Sequence, residues 1–290
     1  MWLKNLKTKN MKSLFKLLFI ATLAISINSC GNSESKSIET SIPEPITVES
    51  KDSVQATTSS VSFPQNVEML LPTQYRKEST GYPKGVKEKE WYEFYKDEKS
   101  GKWTVAKANL KISYGRDECV GEDVMIIESK NKDAIFFFTP FDGLSKDITT
   151  AIEDKPLYPG YEVNFSMNGI SYRFNGAGKV FDRETEKILS PEEVKKKNAE
   201  DLEYSILKDY SVWFNVPKSA YYNIAQINEI QGATPTLIWA GDLNGDGLPD
   251  AVFSLPDFYE SQHILFFLSD KNDQERPLKK VAELMVVNDC

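Results

Sequence analysis

Three patterns of hydrophobic and polar positions follow one another along the chain. Residues 17–27 form an apolar run broken only by Thr22 and Ser26. Residues 31–62 carry no aromatic side chain and are dominated by Ser, Thr, Glu, Pro and Lys. From Phe63 onward, short apolar segments alternate with polar residues at a period of two, as half-buried strands do. Trp91-Tyr92-Glu93-Phe94-Tyr95 and Lys102-Trp103-Thr104-Val105 flank Glu98-Lys99-Ser100-Gly101, which predicts a hairpin. Val124-Met125-Ile126-Ile127 and Ala134-Ile135-Phe136-Phe137-Phe138 flank Asn131-Lys132-Asp133, a second predicted hairpin. Segments 161–165 and 170–174 flank Asn168-Gly169, the pair that best suits a two-residue turn with positive φ at both positions. Further strands are expected at 110–114, 211–214, 237–241, 251–255, 264–269 and 278–282. One helix is signalled by Ser190-Pro191-Glu192-Glu193: a cap, a Pro at the first turn and a capping-box Glu, running on to about Leu202. Its lysines 195–197 read as a solvated face. The fold class predicted is mainly β, antiparallel sheets and hairpins of sandwich or barrel type, with one or two short helices. The strand aromatics are expected to be core and cross-strand pairs rather than a ligand platform.

The pattern implies three regions: a leader at 1–29, a tether at 30–62 and a β-rich domain at 63–290. The tether composition cannot offset the entropy of ordering, so a flexible coil is expected there, reaching on the order of 30 Å. The remainder is rich enough for a packed core, since 40% of the 290 residues are hydrophobic and 12% aromatic. Formal net charge is -8, which argues against a nucleic-acid partner, because a polyanion must be met by a basic face. A single histidine, His263, leaves no room for a His-pair zinc site.

The leader carries five lysines and no acid before its apolar run, the layout of a secretory signal. Met11 heads a signal of ordinary length. The run is shorter than the ~20 residues that span a bilayer. It ends Ile27-Asn28-Ser29-Cys30-Gly31, which resembles the lipobox of bacterial lipoproteins. That resemblance implies cleavage before Cys30, lipidation of Cys30 and a membrane partner through the anchor, with the outer membrane of a double-membrane envelope favoured because Gly31 stands where an inner-membrane signal has Asp. Each buried methylene of an acyl chain contributes roughly 0.8 kcal/mol. Loss of the leader takes the net charge from -8 to -13, so the lipid rather than the protein surface would hold the chain to an anionic membrane.

The sharpest chemistry lies at Asp242-Leu243-Asn244-Gly245-Asp246-Gly247-Leu248-Pro249-Asp250. Counting from Asp242, oxygen side chains fall at positions 1, 3, 5 and 9, and position 6 is Gly247. A hard cation needs such a set, since a tight loop turns alternate oxygens inward; three carboxylates and an amide suit Ca²⁺ better than Zn²⁺. Phe253 stands where an EF-hand has its bidentate Glu, and the flanks read as strands. With those flanks the loop resembles the FG-GAP or integrin-type calcium loop of propeller blades. That resemblance implies ligands from Asp242, Asn244, Asp246 and Asp250, with the carbonyl of Leu248. Propellers repeat the loop in several blades, whereas this chain has one copy and no repeat of fixed period. The last fifth of the chain is also similar to uncharacterised bacterial secreted proteins with a single such loop.

Apart from Cys30, the cysteines are Cys119 and Cys290. In an oxidising compartment such a pair is expected to bond, closing a loop of more than 150 residues. No Gly-x-Ser-x-Gly nucleophile turn is present. Gly176-Ala177-Gly178-Lys179-Val180 fails as a phosphate loop, lacking the first Gly and the Ser or Thr after Lys179. His263, at the mouth of a strand, reads as a surface or hydrogen-bonded residue. The functional expectation is a non-enzymatic, calcium-stabilised binding or envelope-surface module with a protein or glycan ligand. The alternative is a secreted hydrolase acting on carbohydrate through two carboxylates.

Overall fold

A computed structural model describes residues 63–287 except 65, 80, 132, 146 and 218–220, and of 199 and 200 the backbone alone. The leader, Cys30, the tether and Cys290 lie outside the described residues. In chain order the strands are β1 Met69–Leu70, β2 Gln74–Arg76, β3 Tyr92–Lys96, β4 Trp103–Lys107, β5 Leu110–Arg116, β6 Asp123–Ser129, β7 Ala134–Phe138, β8 Thr149–Pro156, β9 Glu162–Met167, β10 Ile170–Asp182 and β11 Lys187–Leu189. Two short helices follow, α1 Pro191–Lys196 and α2 Ala199–Glu203. The rest are β12 Ile206–Asn215, β13 Tyr222–Gln231, β14 Thr236–Asp242, β15 Asp250–Ser254, β16 Ser261–Ser269 and β17 Leu278–Val287.

The strands form four sheets in which every strand pair is antiparallel: β1-β7-β3-β4, β2-β6-β5, β17-β16-β15-β14-β8, and β11-β10-β12-β13 with β9 also on β10. The fold is mainly antiparallel β, and among the described residues no sheet closes into a barrel. The sheet built on β14–β17 is a middle layer. Its Leu237, Ala251, Phe253, Leu265 and Phe267 join one apolar core with Phe174 and Phe214. Its Trp239, Val252, Ile264, Phe266 and Leu268 join a second core with Phe94, Phe136 and Phe138. Ring contacts mark both interfaces: Phe253 meets Phe174 at 5.2 Å between centroids, and Trp239 meets Phe94 at 5.3 Å. Full burial of each such ring contributes about 1.5–3 kcal/mol. Two-sided burial explains why 264–268 is a continuous apolar run, while β9, covered on one face, alternates strictly.

The hairpins at 98–101 and Asn168-Gly169 form as predicted, the latter with φ of 51° and 75°. The hairpin expected across Asn131–Asp133 does not. β6 pairs with β5 and β2, whereas β7 crosses into another sheet between β1 and β3. Phe136, Phe137 and Phe138 are all fully buried, which a strand pairing only with β6 would not achieve. The helix predicted through Leu202 breaks at Lys197, whose backbone is extended with φ -77° and ψ 148°. Asn198 caps a fresh helix by accepting from the Asp201 amide at 2.7 Å. Lys197 is not on a solvated face: its Nζ lies 2.6 Å from the buried Asp182 carboxylate, and reaching it takes the backbone out of helical geometry.

Candidate functional site

The loop 243–249 joins β14 to β15 within the middle sheet. Gly241, just before it, lies against β8 so closely that a Cβ there would stand 1.8 Å from the Thr149 carbonyl oxygen. This close approach lets β8 pair with β14 up to Thr149 and Asp242, at the loop's threshold.

Each loop oxygen then turns back on a loop amide. Asp242 accepts from Gly245 N at 2.7 Å through Oδ1 and from Gly247 N at 3.0 Å through Oδ2. Asn244 Oδ1 accepts from Asp246 N at 3.1 Å, and Asp246 Oδ1 accepts from Leu248 N at 2.8 Å. Gly245 and Gly247 hold φ of 73° and 84°, which permits the tight winding. Outside contacts pin the coil. Asn168, on the β9–β10 turn, donates to the Gly247 carbonyl at 2.9 Å, and the Ser145 amide donates to the Leu243 carbonyl at 2.9 Å.

Asp250 is fully buried and accepts four hydrogen bonds. Leu243 N and Asn244 N donate to Oδ2 at 2.6 and 3.1 Å; Ser269 N and Oγ donate to Oδ1 at 2.6 and 2.9 Å. The same Ser269 hydroxyl is 2.9 Å from Asp246 Oδ1, and the Ser269 carbonyl accepts from Asn244 Nδ2 at 3.0 Å. Burial pushes the Asp250 carboxyl up to about 8 against the pull of these bonds, with the charge of Asp246 adding to the rise. Burial likewise raises Asp246, with Asp242 adding to it, while Leu248 N and Ser269 Oγ pull it down.

The structure thus brings Asp246 and Asp250 together through Ser269, and ties Asp242 to the same coil through Gly245 and Gly247. Leu248 is placed by its amide rather than by its carbonyl. Among the described residues no three His, Cys, Asp or Glu side chains form a ready-made metal cage. The donor set still fits a hard cation: Asp242 and Asp246 bring carboxylate oxygens and Asn244 an amide oxygen, and the charge of Asp242 opposes ionisation of Asp246, a cost that a bound cation would offset. Ser269 was not visible as part of this site in the sequence. Its only signal is strand register, since Ala251 pairs with Phe267 and so carries the end of β16 past Asp250.

Beside the loop, Asn244, Gly245, Asp246 and Ser269 line a cleft of about 130 Å³ that Asp142 and Asp270 also border. Small-molecule pockets usually start at about 300 Å³, so this space suits an ion and its waters better than a sugar ring. His263 is buried, with Nδ1 at 2.9 Å from the Leu255 carbonyl and Nε2 at 2.7 Å from Glu283 Oε1. It is a hydrogen-bonded strut between β15's exit and β17. Among the described residues no helix is long and apolar enough to cross a membrane. No protein family matches the chain, and it has no match among curated proteins or solved structures.

Proposed function

We propose that the protein is a lipid-anchored, extracytoplasmic binding module whose 242–250 loop holds a structural Ca²⁺. The observation that carries this reading is the winding of the loop. Asp242, Asn244 and Asp246 sit at alternate positions of a coil closed by their own amide contacts, with Asp250 locking its base. The coil is rooted in the doubly buried middle sheet, so an ion there would brace the hairpin that both cores share. The Leu248 carbonyl would complete the donor set. No step of catalysis is assigned to the site. The anchor at Cys30 rests on the leader and its lipobox-like end.

Two measurements test the reading. Thermal melts of the oxidised chain from Gly31 on, with calcium at a hundredfold excess over its dissociation constant and then with chelator, should differ by about 2.7 kcal/mol if only the folded state binds. Asp246→Ala should remove that difference. Equal melts for the native chain, with no calcium found by metal analysis, would refute the ion site. Labelled fatty acid should enter the full chain in a bacterial host and be absent from Cys30→Ser. Equal labelling of both would refute the anchor.

A further inference from the structure

The outer face of the sheet formed by β9–β13 carries an organised surface that the loop does not explain. Tyr172, Phe174, Val212 and Phe214 point into the core. Strand alternation therefore places Arg173, Asn175, Trp213 and Asn215 on the opposite face. Register aligns Asn175 with Trp213, and Trp213 with Asn223 on β13. One step along, Arg173 lies between Asn164 and Asn215. Across three strands Asn175 and Asn223 thus flank the indole over about 10 Å.

Trp213 is unlike the other tryptophans among the described residues. Trp91, Trp103 and Trp239 are buried, whereas Trp213 is half-buried on a solvent-facing sheet. Its Nε1 donates to Ser211 Oγ at 2.9 Å, two residues back on the same strand and the same face. Ser211 is buried although it faces outward. This bond pins the edge of the indole along β12, and the half-buried ring keeps part of its surface open on the outward side of the sheet. Arg173 is held in place: Nε donates to Asn164 Oδ1 at 2.8 Å, Nη1 donates to Tyr221 Oη at 2.8 Å, and Glu162 stands 3.4 Å away to balance its charge.

A solvated sheet face in a chain with 27% charged residues would ordinarily carry Lys and Glu around its centre. Here the centre is an indole bordered by neutral amides, and the nearest charges cancel. Such a face matches a ligand with an apolar C–H surface, many hydroxyls and no net charge. The electron-rich ring face attracts C–H groups, and planar amides donate and accept at once. We propose that this face binds a neutral polysaccharide, with one sugar ring stacked on Trp213 and its hydroxyls bonded by the exposed Asn223, while Asn175, its Oδ1 buried, borders the indole in register. This rests on the reading of the chain as a binding module and supplies its ligand class.

The test is affinity electrophoresis of the full-length mature protein in native gels containing a soluble β-glucan, xylan, mannan or galactan, beside alginate and polygalacturonate as anionic controls. At least one neutral glycan should retard the protein. Trp213→Ala should weaken that retardation tenfold or more, Trp213→Tyr should retain part of it, and Asn223→Ala, on the exposed edge strand, should weaken it several-fold. If Trp213→Ala does not fold, the other two variants decide. The proposal is overturned if no neutral glycan retards the protein, if only the anionic glycans do, or if retardation is indifferent to Trp213 and Asn223. Gels run with calcium and with chelator separate the two readings. A melt without calcium dependence leaves a retarded band intact and refutes only the ion site, whereas an unretarded protein with a calcium-dependent melt refutes only the glycan face.

Discussion

Ser269 holds one oxygen of Asp250 twice, with its amide at 2.6 Å and its hydroxyl at 2.9 Å, and the two residues are nineteen positions apart. Through this pair the end of β16 is fastened to the start of β15. Asp250 also collects the Leu243 and Asn244 amides, so one side chain organises the whole loop. Asp250→Ala would strand three buried N–H groups. It should destabilise the fold by roughly 3–5 kcal/mol, read from the midpoint of urea unfolding. Asp250→Asn keeps the shape but sets an NH₂ against donors, and should lose about 1–3 kcal/mol. A loss below about 1 kcal/mol for the alanine variant would show that the loop is held by something else.

Gly241 makes a prediction of the opposite kind, since it concerns added rather than lost atoms. A Cβ would lie 1.8 Å from the Thr149 carbonyl oxygen and 2.5 Å from the Trp239 ring. The carbonyl belongs to a paired strand and cannot swing aside. Gly241→Ala should therefore cost at least about 1–3 kcal/mol and loosen β8 from β14. Amide hydrogen exchange at 149–152 and 240–242 would report it; unchanged protection there would contradict the close approach.

Asp182 should shape the acid limb of stability. The ammonium of Lys197, at 2.6 Å, holds its carboxyl down to about 2, helped by the amides of Thr185 and Glu184 at 3.0 and 2.9 Å. A carboxylate depressed in the folded state stabilises the fold above its ordinary value of 3.8 and loses that contribution as pH falls towards 2. Melting temperatures of the native chain and Asp182→Asn should lie apart from pH 6 to about 4 and converge by about pH 2. A gap that stays constant over that range would mean the ion pair is not its source.

Cys119 is disulfide-bonded. It sits in a turn where its amide donates to Asp117 Oδ1 at 2.8 Å, and Arg76 in turn fixes Asp117 at 2.8 Å. Peptide mapping without reductant should recover Cys119 joined to Cys290. Reduction should then lower stability by up to about 5 kcal/mol, the chain-entropy value for so long a loop. A Cys119 peptide joined to Cys30, or to a second molecule, would rule out this pairing.

Local signals were legible where a few neighbouring residues decide the outcome. The Asn168-Gly169 turn and the Ser190 capping box depend on contacts within about five positions, and each forms as its residues imply. The alternation of β9 likewise announced a strand covered on one side. The placement of strands in sheets was not legible in this way. The step from β6 to β7 looks like a hairpin turn, yet the chain changes sheets there, because the Phe136–Phe138 run is stabilised more by two neighbouring strands and full burial in one core than by a return onto β6.

What the sequence determined by itself was the antiparallel β class, the order of leader, tether and body as an expectation, and the oxygen-rich spacing from Asp242 to Asp250. Those features are written in composition and in contacts between near neighbours. Only the tertiary structure decided that β14, β15 and β16 contribute to both cores, that Ser269 completes the loop, that Lys197 leaves its helix for Asp182, and that Trp213 lies outward while Trp91, Trp103 and Trp239 lie inward. Each of these depends on which strand lies beside which. Register between residues tens of positions apart is set by the joint packing of two cores, and no local run of side chains encodes it.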